Sequence, residues 1–187
     1  EKRSGFLSEE DSYHCVKVLR KKLGDEIQIT DGKGNLATAT VQSLDTKKTY
    51  FTILSHLTFD PDTRQNLSIA MALTKNADRF EWFVEKATEI GIGQIYPLVT
   101  ERTERPNVKI ERLQKIALSA MKQSKQFYLP HIHATTKLKD LLQQSTEEQR
   151  FVAHCGDVES HLLPLLSPEK KTLVLIGPEG DFTDHEI

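Results

Sequence analysis

The sequence predicts an α/β protein of two units, a small antiparallel β unit followed by a parallel sheet covered by helices. Three observations carry that reading. From Glu26 to Leu57, apolar residues tend to fall at every second position between turns rich in Gly and Asp, the period of half-buried strands. After Asn66 the strands become continuously apolar, as strands buried on both faces are. These strands alternate with segments whose apolar residues recur every three or four positions, which is the pattern of helices laid on a parallel sheet.

In the first unit, "SYHCVKVLRKKLGD" is expected to place Val16, Val18 and Leu19 on an apolar face and to expose Arg20, Lys21 and Lys22, with Gly24 as the stop. "EIQIT" and "LATATVQSL" flank the turn "DGKGN". There Asp31-Gly32 and Gly34-Asn35 supply the positive φ angles of a tight hairpin, and Ile27, Ile29, Ala37, Ala39 and Val41 alternate with polar neighbours. "TYFTIL" adds a strand, so a small barrel or meander is expected. "FDPDTRQN", Phe59 to Asn66, is polar and carries a proline, and it reads as a linker. The units are therefore bounded at 1–60 and 66–187.

In the second unit "LSIAMALT" is a buried strand. "NADRFEWFVEKATEIG" is a helix with Phe80, Phe83, Val84, Ala87 and Ile90 on its apolar face, Asn76 as cap and Gly91 just past its end. "QIYPLVT" is a strand, and "NVKIERLQKIALSAMKQSKQF" is a helix that packs through Leu113, Ile116, Ala117, Ala120 and Met121. A short "HIHATT", a helix near "KLKDLLQQ" and the strands "RFVAHC" and "KTLVLI" follow. The last strand runs into "GPEG", after which Thr183 and Glu186 have the spacing of a capping box. A helix is expected to begin there and to continue past Ile187.

The 187 residues hold no apolar run near the roughly 20 needed to span a bilayer, nor an apolar stretch behind Glu1 that would mark a signal peptide. Cys15 and Cys155 lie far apart, which suggests neither a disulfide framework nor a zinc ribbon. A cytoplasmic protein is expected. The net charge of -2 conceals a gradient: basic and acidic residues balance up to Gln65, the stretch from Asn66 to Pro130 carries +3, and the remainder carries -5. A polyanionic partner would meet the middle third, although the same charges also serve as solvated helix faces.

The "GPEG" turn, Gly177 to Gly180, is delivered to the carboxyl edge of a parallel sheet, where ligands of such sheets bind. It is neither a P-loop nor a Gly-x-Gly-x-x-Gly turn, and Glu179 and Asp181 put negative charge where a pyrophosphate needs N–H donors. A cofactor with a cationic centre and no phosphate, such as S-adenosyl-L-methionine, is compatible with those carboxylates; a plain strand-to-helix turn fits the same residues. His131, His133 and His154 lack the spaced carboxylate partners of a metal centre, so no metal is expected. No nucleophile elbow is present for hydrolysis.

Taken together, "HCVKVLRKKLGDEIQITDGKG", "ALTKNADRFEWFVEKATEIGIGQIYPLVTERT", "SAMKQSKQFYLP" and "LVLIGPEGDFT" resemble the RsmE family, the ribosomal RNA small subunit methyltransferase E proteins of the knotted SPOUT class. The resemblance covers most of the chain. It implies a PUA-like β-barrel domain that helps to hold RNA over 1–60. Over 66–187 it implies a SPOUT α/β methyltransferase domain whose trefoil-knot segment would lie beyond Ile187. It further implies S-adenosyl-L-methionine as methyl donor, N3 of a uridine in 16S rRNA of the assembled small subunit as target, and a homodimer with each active site near the subunit interface.

Carried over residue by residue, the resemblance assigns cofactor binding to Leu175, Ile176, Gly177, Pro178, Glu179 and Gly180, with His154 and Cys155 at the end of the neighbouring strand. Methylation of uridine N3 requires loss of its proton and stabilisation of charge on the ring carbonyls. Arg102 is the candidate for that stabilisation, with Gln123 and Ser124 orienting the base, although Arg102 also suits a phosphate grip and Gln123 a helix cap. Lys75 and Arg79, with Arg20 and Lys21 in the first unit, suit RNA backbone contacts. The chain departs from the family at Lys125-Gln126, where Gly-Arg is common, and at Asp181, where Gly is frequent. The link between Thr103 and Arg112 is short, and the family's opening strand is expected before Glu1. Three other readings stay open: a SPOUT enzyme acting on transfer or large-subunit RNA, a non-catalytic RNA-binding protein, and a nucleotide-dependent oxidoreductase that the acidic turn disfavours.

Overall fold

The computed structural model describes residues 3–156 and 161–187. The chain divides into two compact units, Glu1–Asp60 and Pro61–Ile187.

The first unit is a four-stranded antiparallel sheet in the order β1-β4-β3-β2, with β1 at Ser4–Phe6, β2 at Glu26–Thr30, β3 at Asn35–Ser43 and β4 at Tyr50–Thr58. The meander read from the hairpin signals is present, with Gly32 at φ 69° and Gly34 at φ 91° in its first turn. The short strand β1, which the hairpin signals did not announce, pairs antiparallel with β4. Ile27, Ala39 and Val41 bury the inner face together with Cys15.

Cys15 reaches that core through a change of helical register. Helix α1, Glu9–Tyr13, passes into a π-turn at His14–Val18, where Leu19 N–H donates to the His14 carbonyl at 2.9 Å. The extra residue in that turn rotates the apolar face. Val18 and Leu19, expected on the buried side, are more than half exposed, while Ser12 and Cys15 are buried.

The second unit is a parallel sheet in the order β7-β6-β5-β10-β9, with β8 also pairing β6. Its strands are β5 at Leu67–Ala72, β6 at Gln94–Val99, β7 at His131–Ile132, β8 at Thr136–Lys137, β9 at Gln149–Ala153 and β10 at Thr172–Ile176. Helix α2, Ala77–Glu89, starts at Asn76, whose side chain accepts from Asp78 N–H as the sequence anticipates. Phe80, Val84 and Ala87 of α2 pack with Leu113 and Ala117 of α3, Ile110–Ser124, in one core. Ile90, expected on that face, stands past the last turn and is exposed. Helix α4, Leu138–Gln144, covers the other face through Leu138 and Leu141 against Leu98, Leu173 and Leu175. Among the described residues no helix is long and apolar enough to cross a membrane.

Parallel strands joined by helices send every strand toward one edge and bring every helix back from it. The carboxyl edge therefore collects the residues after β5, β6, β9 and β10. Ends of α2 and α3 lie at the amino edge, where the Gln126 side chain donates to the Glu89 carbonyl at 2.8 Å.

Candidate active site

At the carboxyl edge β10 ends in Ile176, and the chain turns through Gly177, Pro178, Glu179 and Gly180 into a strap that runs to Glu186. A side chain at Gly177 would come within 3.1 Å of the Asp181 carboxylate and the Phe182 ring and amide. The bend closes that tightly because Phe182 is buried beneath it, against the α4-side core.

Three neighbouring strand ends hold the strap. From β5, Lys75 N–H donates to both oxygens of the Glu179 carboxylate at 3.2 and 3.3 Å. From β6, the Arg102 guanidinium donates through Nη1 to the carbonyls of Gly180 at 2.6 Å and Phe182 at 3.2 Å. Glu101 N–H donates to Glu186 at 2.9 Å, and the Thr183 hydroxyl donates to Glu101 Oε2 at 3.1 Å. From β9, Cys155 N–H donates to Asp181 Oδ2 at 2.8 Å. Half of the expected capping box is made, since Glu186 accepts from Thr183 N–H at 3.1 Å, and the following residues form a turn.

Both carboxylates of the turn have partners within the protein. Glu179 takes the Lys75 amide and lies 3.7 Å from Arg79 Nη1, and both Asp181 oxygens accept backbone N–H groups. The amides of Cys155 and Phe182 hold the Asp181 carboxyl below its usual range. Asp181 adopts φ 61°, a left-handed conformation that costs about 1 kcal/mol for most residues, and Asp tolerates it through such local bonds. What fits a ligand here is shape. A cavity of about 670 Å³ opens beside the turn, lined by Met71, Trp82, Phe83, Ile176 and Pro178, with Asp78 and Arg79 also on its wall.

The residues singled out from sequence are only partly brought together. Leu175, Ile176, Gly177, Pro178, Glu179, Gly180, His154, Cys155, Arg102, Lys75 and Arg79 share the carboxyl edge. Gln123 and Ser124 end α3 at the opposite edge, and the Ser124 hydroxyl donates to the Ala120 carbonyl at 2.7 Å. Within one chain they do not reach the turn. Lys75 Nζ pairs with Glu104 at 3.0 Å, so both candidate phosphate contacts of this unit already face carboxylates. In the first unit Arg20 is exposed with φ 51°, and Lys21 Nζ donates to the Glu26 carbonyl at 2.9 Å. Glu101 belongs to the same matched Thr-Glu-Arg segment as Arg102, whereas Thr183 and Glu186 were not expected at the site; the capping-box spacing was the one available signal for them.

His131 and His133 gather no metal set, and no group of three ligating side chains occurs among the described residues. His133 instead stacks on Tyr96 at 3.8 Å and bonds Gln94 at 2.9 Å. Burial, helped by His131, pushes its pKa down to about 4 from 6.5. The unfolded chain then binds this proton more readily between those values, so the contribution to stability is whole above pH 6.5 and is lost as the pH falls toward 4. Urea midpoints followed from pH 7 to pH 4.5 are expected to fall less for His133→Asn than for the parent protein; equal declines would contradict this.

Residues 61–187 match the family model of the RNA methyltransferase domain, and residues 7–54 match that of the RNA methyltransferase PUA domain. Ribosomal RNA small subunit methyltransferase E of Rickettsia conorii is 28% identical over 184 residues, 97% of this chain and 75% of that protein. A crystal structure described as a probable rRNA-methyltransferase from Porphyromonas gingivalis is 31% identical, with a TM-score of 0.87 over 98% of this chain and 79% of that one. The ribosomal RNA small subunit methyltransferase E of Neisseria gonorrhoeae, solved bound to S-adenosyl methionine, has a TM-score of 0.85 at 23% identity, over 99% of this chain and 78% of that one, a likeness of fold. The fold is that of an RNA methyltransferase domain preceded by a PUA-like domain. Within that class, the chain belongs to the ribosomal RNA small subunit methyltransferase E family.

Proposed function

We propose that this protein is an S-adenosyl-L-methionine-dependent methyltransferase acting on N3 of a uridine in 16S rRNA of the small ribosomal subunit. The observation that carries the proposal is the Gly177–Gly180 turn, fastened by three strand ends beside an open apolar cavity in a chain of this family. When bound, the cofactor supplies a methyl group activated by attachment to a positively charged sulfur.

The chain's own residues position and exclude water. Trp82, Phe83 and Met71 offer apolar surface to a flat or aliphatic ligand, and the backbone of Ile176 to Gly180 offers the polar contacts. Bonds to the carbonyls of Gly180 and Phe182 make Arg102 first of all the brace of the turn. Stabilisation of the uridine carbonyls is then its second task. Since Gln123 and Ser124 lie at the far edge, their proposed role in orienting the base requires a second copy of the chain, as a homodimer would provide. Arg20, Lys21, Lys75 and Arg79 are proposed RNA backbone contacts, and a cytoplasmic location is proposed with them, as a substrate in the small ribosomal subunit requires.

The test is nucleoside mass spectrometry on small subunits from cells lacking the gene, incubated with the protein and S-adenosylmethionine. Appearance of 3-methyluridine in 16S rRNA is expected. Methylation confined to transfer RNA or large-subunit RNA, or none at all, would overturn the assignment.

A further inference from the structure

Asp181 lies between two loops that come from different strands. Its Oδ1 accepts Phe182 N–H at 2.8 Å, which fixes the strap behind the turn. Its Oδ2 accepts Cys155 N–H at 2.8 Å, and that amide belongs to the His154–Cys155 loop after β9. Among the described residues, strand β9 stands at the edge of the sheet and pairs only with β10. Past Ala153 and Ile176 the β9–β10 ladder has stopped, so this carboxylate takes over where sheet hydrogen bonds end. The His154 ring, in turn, accepts Gly156 N–H at 3.1 Å through Nδ1, so the loop's own polar groups are turned inward on itself.

A glycine at this position would meet the φ of 61° without strain but could not bridge the loops. The carboxylate accepts at both oxygens, whereas an amide has one acceptor oxygen and would turn its NH₂ against the other N–H. We propose that Asp181 is a positioning residue that latches the β9 loop to the β10 turn and thereby holds His154 and Cys155, the cofactor contacts expected at the end of β9, in place beside that turn. This rests on the reading of the turn as the cofactor site.

The test compares the parent protein with Asp181→Gly and Asp181→Asn. Amide exchange at Cys155, followed by NMR without cofactor, is expected to quicken at least about tenfold in the glycine variant, by the loss of a charge-assisted bond. Calorimetry is expected to show S-adenosylmethionine bound about tenfold more weakly, with the asparagine variant between the two. In turnover assays KM for the cofactor rises while kcat at saturation stays within about threefold, a split that general destabilisation would not give. The melting temperature is expected to stay within a few degrees, because relief of the left-handed backbone offsets the lost bond. Unchanged exchange at Cys155 would overturn the latch, and faster exchange with unchanged cofactor affinity would overturn its positioning role; both leave the cofactor site standing. Absence of cofactor binding by the parent protein would overturn the site and the latch with it.

Discussion

Replacing Arg102 by alanine is expected to weaken S-adenosylmethionine binding about tenfold and to lower methyl transfer at saturating cofactor about a hundredfold. Its Nη1 joins the carbonyls of Gly180 and Phe182, so truncation removes a charge-assisted bond at 2.6 Å and a second at 3.2 Å from the strap. Bonds of this kind are worth about 1.5–3 kcal/mol, and each 1.4 kcal/mol is tenfold in affinity. The Arg102 side chain is exposed, so the lower end of that range applies. A residue that only stabilised the reacting uridine would lower turnover with cofactor affinity intact; a brace lowers both. Lysine is not an adequate substitute, because its compact ammonium is more strongly hydrated and is carried on a flexible stem that does not hold it at the place of Nη1. Calorimetry and single-turnover methylation on Arg102→Ala and Arg102→Lys check this. Undiminished affinity in both variants would remove the bracing role.

The second large effect is on stability. Gly93→Ala is expected to lower the melting temperature by about 6–12 °C, corresponding to about 3 kcal/mol of overpacking. A β-carbon at Gly93 would stand 2.1 Å from the Gln65 carbonyl oxygen and 2.8 Å from its carbon. Neither backbone has room to yield. Gly93 N–H donates to Leu67 at 3.1 Å, its carbonyl accepts from His131 at 2.9 Å, and the Gln65 side chain donates to Gly91 at 2.8 Å. Displacing Gln65 would disturb the start of β5, the central strand. Thermal unfolding of the alanine variant measures the effect, and a melting temperature within 2 °C of the parent's would contradict this account of the contact.

Much of the fold was legible because it is written locally. The meander needed only the two-residue period and the glycines at 32 and 34, and α2 declared itself through Asn76, its apolar face and Gly91. The π-turn at His14–Val18 was not legible, since a shift of one hydrogen-bond register leaves no mark in composition. It moved Val18 and Leu19 outward. The turn was found by its position after an apolar strand, but the direction of its carboxylates was not. Glu179 and Asp181 are acidic in sequence whichever way they point, and their partners at Lys75 and Cys155 are 104 and 26 residues away. The separation of Gln123 and Ser124 from the turn, by contrast, was implicit in the order of elements. A residue ending the helix that follows a parallel strand returns to the amino edge, which the alternation of strands and helices already contained.

The account depends most on the turn itself being the surface that meets the methyl donor. Hydrogen exchange followed by mass spectrometry, with and without S-adenosylmethionine, reads this segment by segment. Slower exchange is expected in peptides covering 153–156 and 175–183 when the cofactor is added, with the N-terminal unit unchanged. Cofactor binding that protects other segments and leaves 175–183 as it was would contradict the assignment.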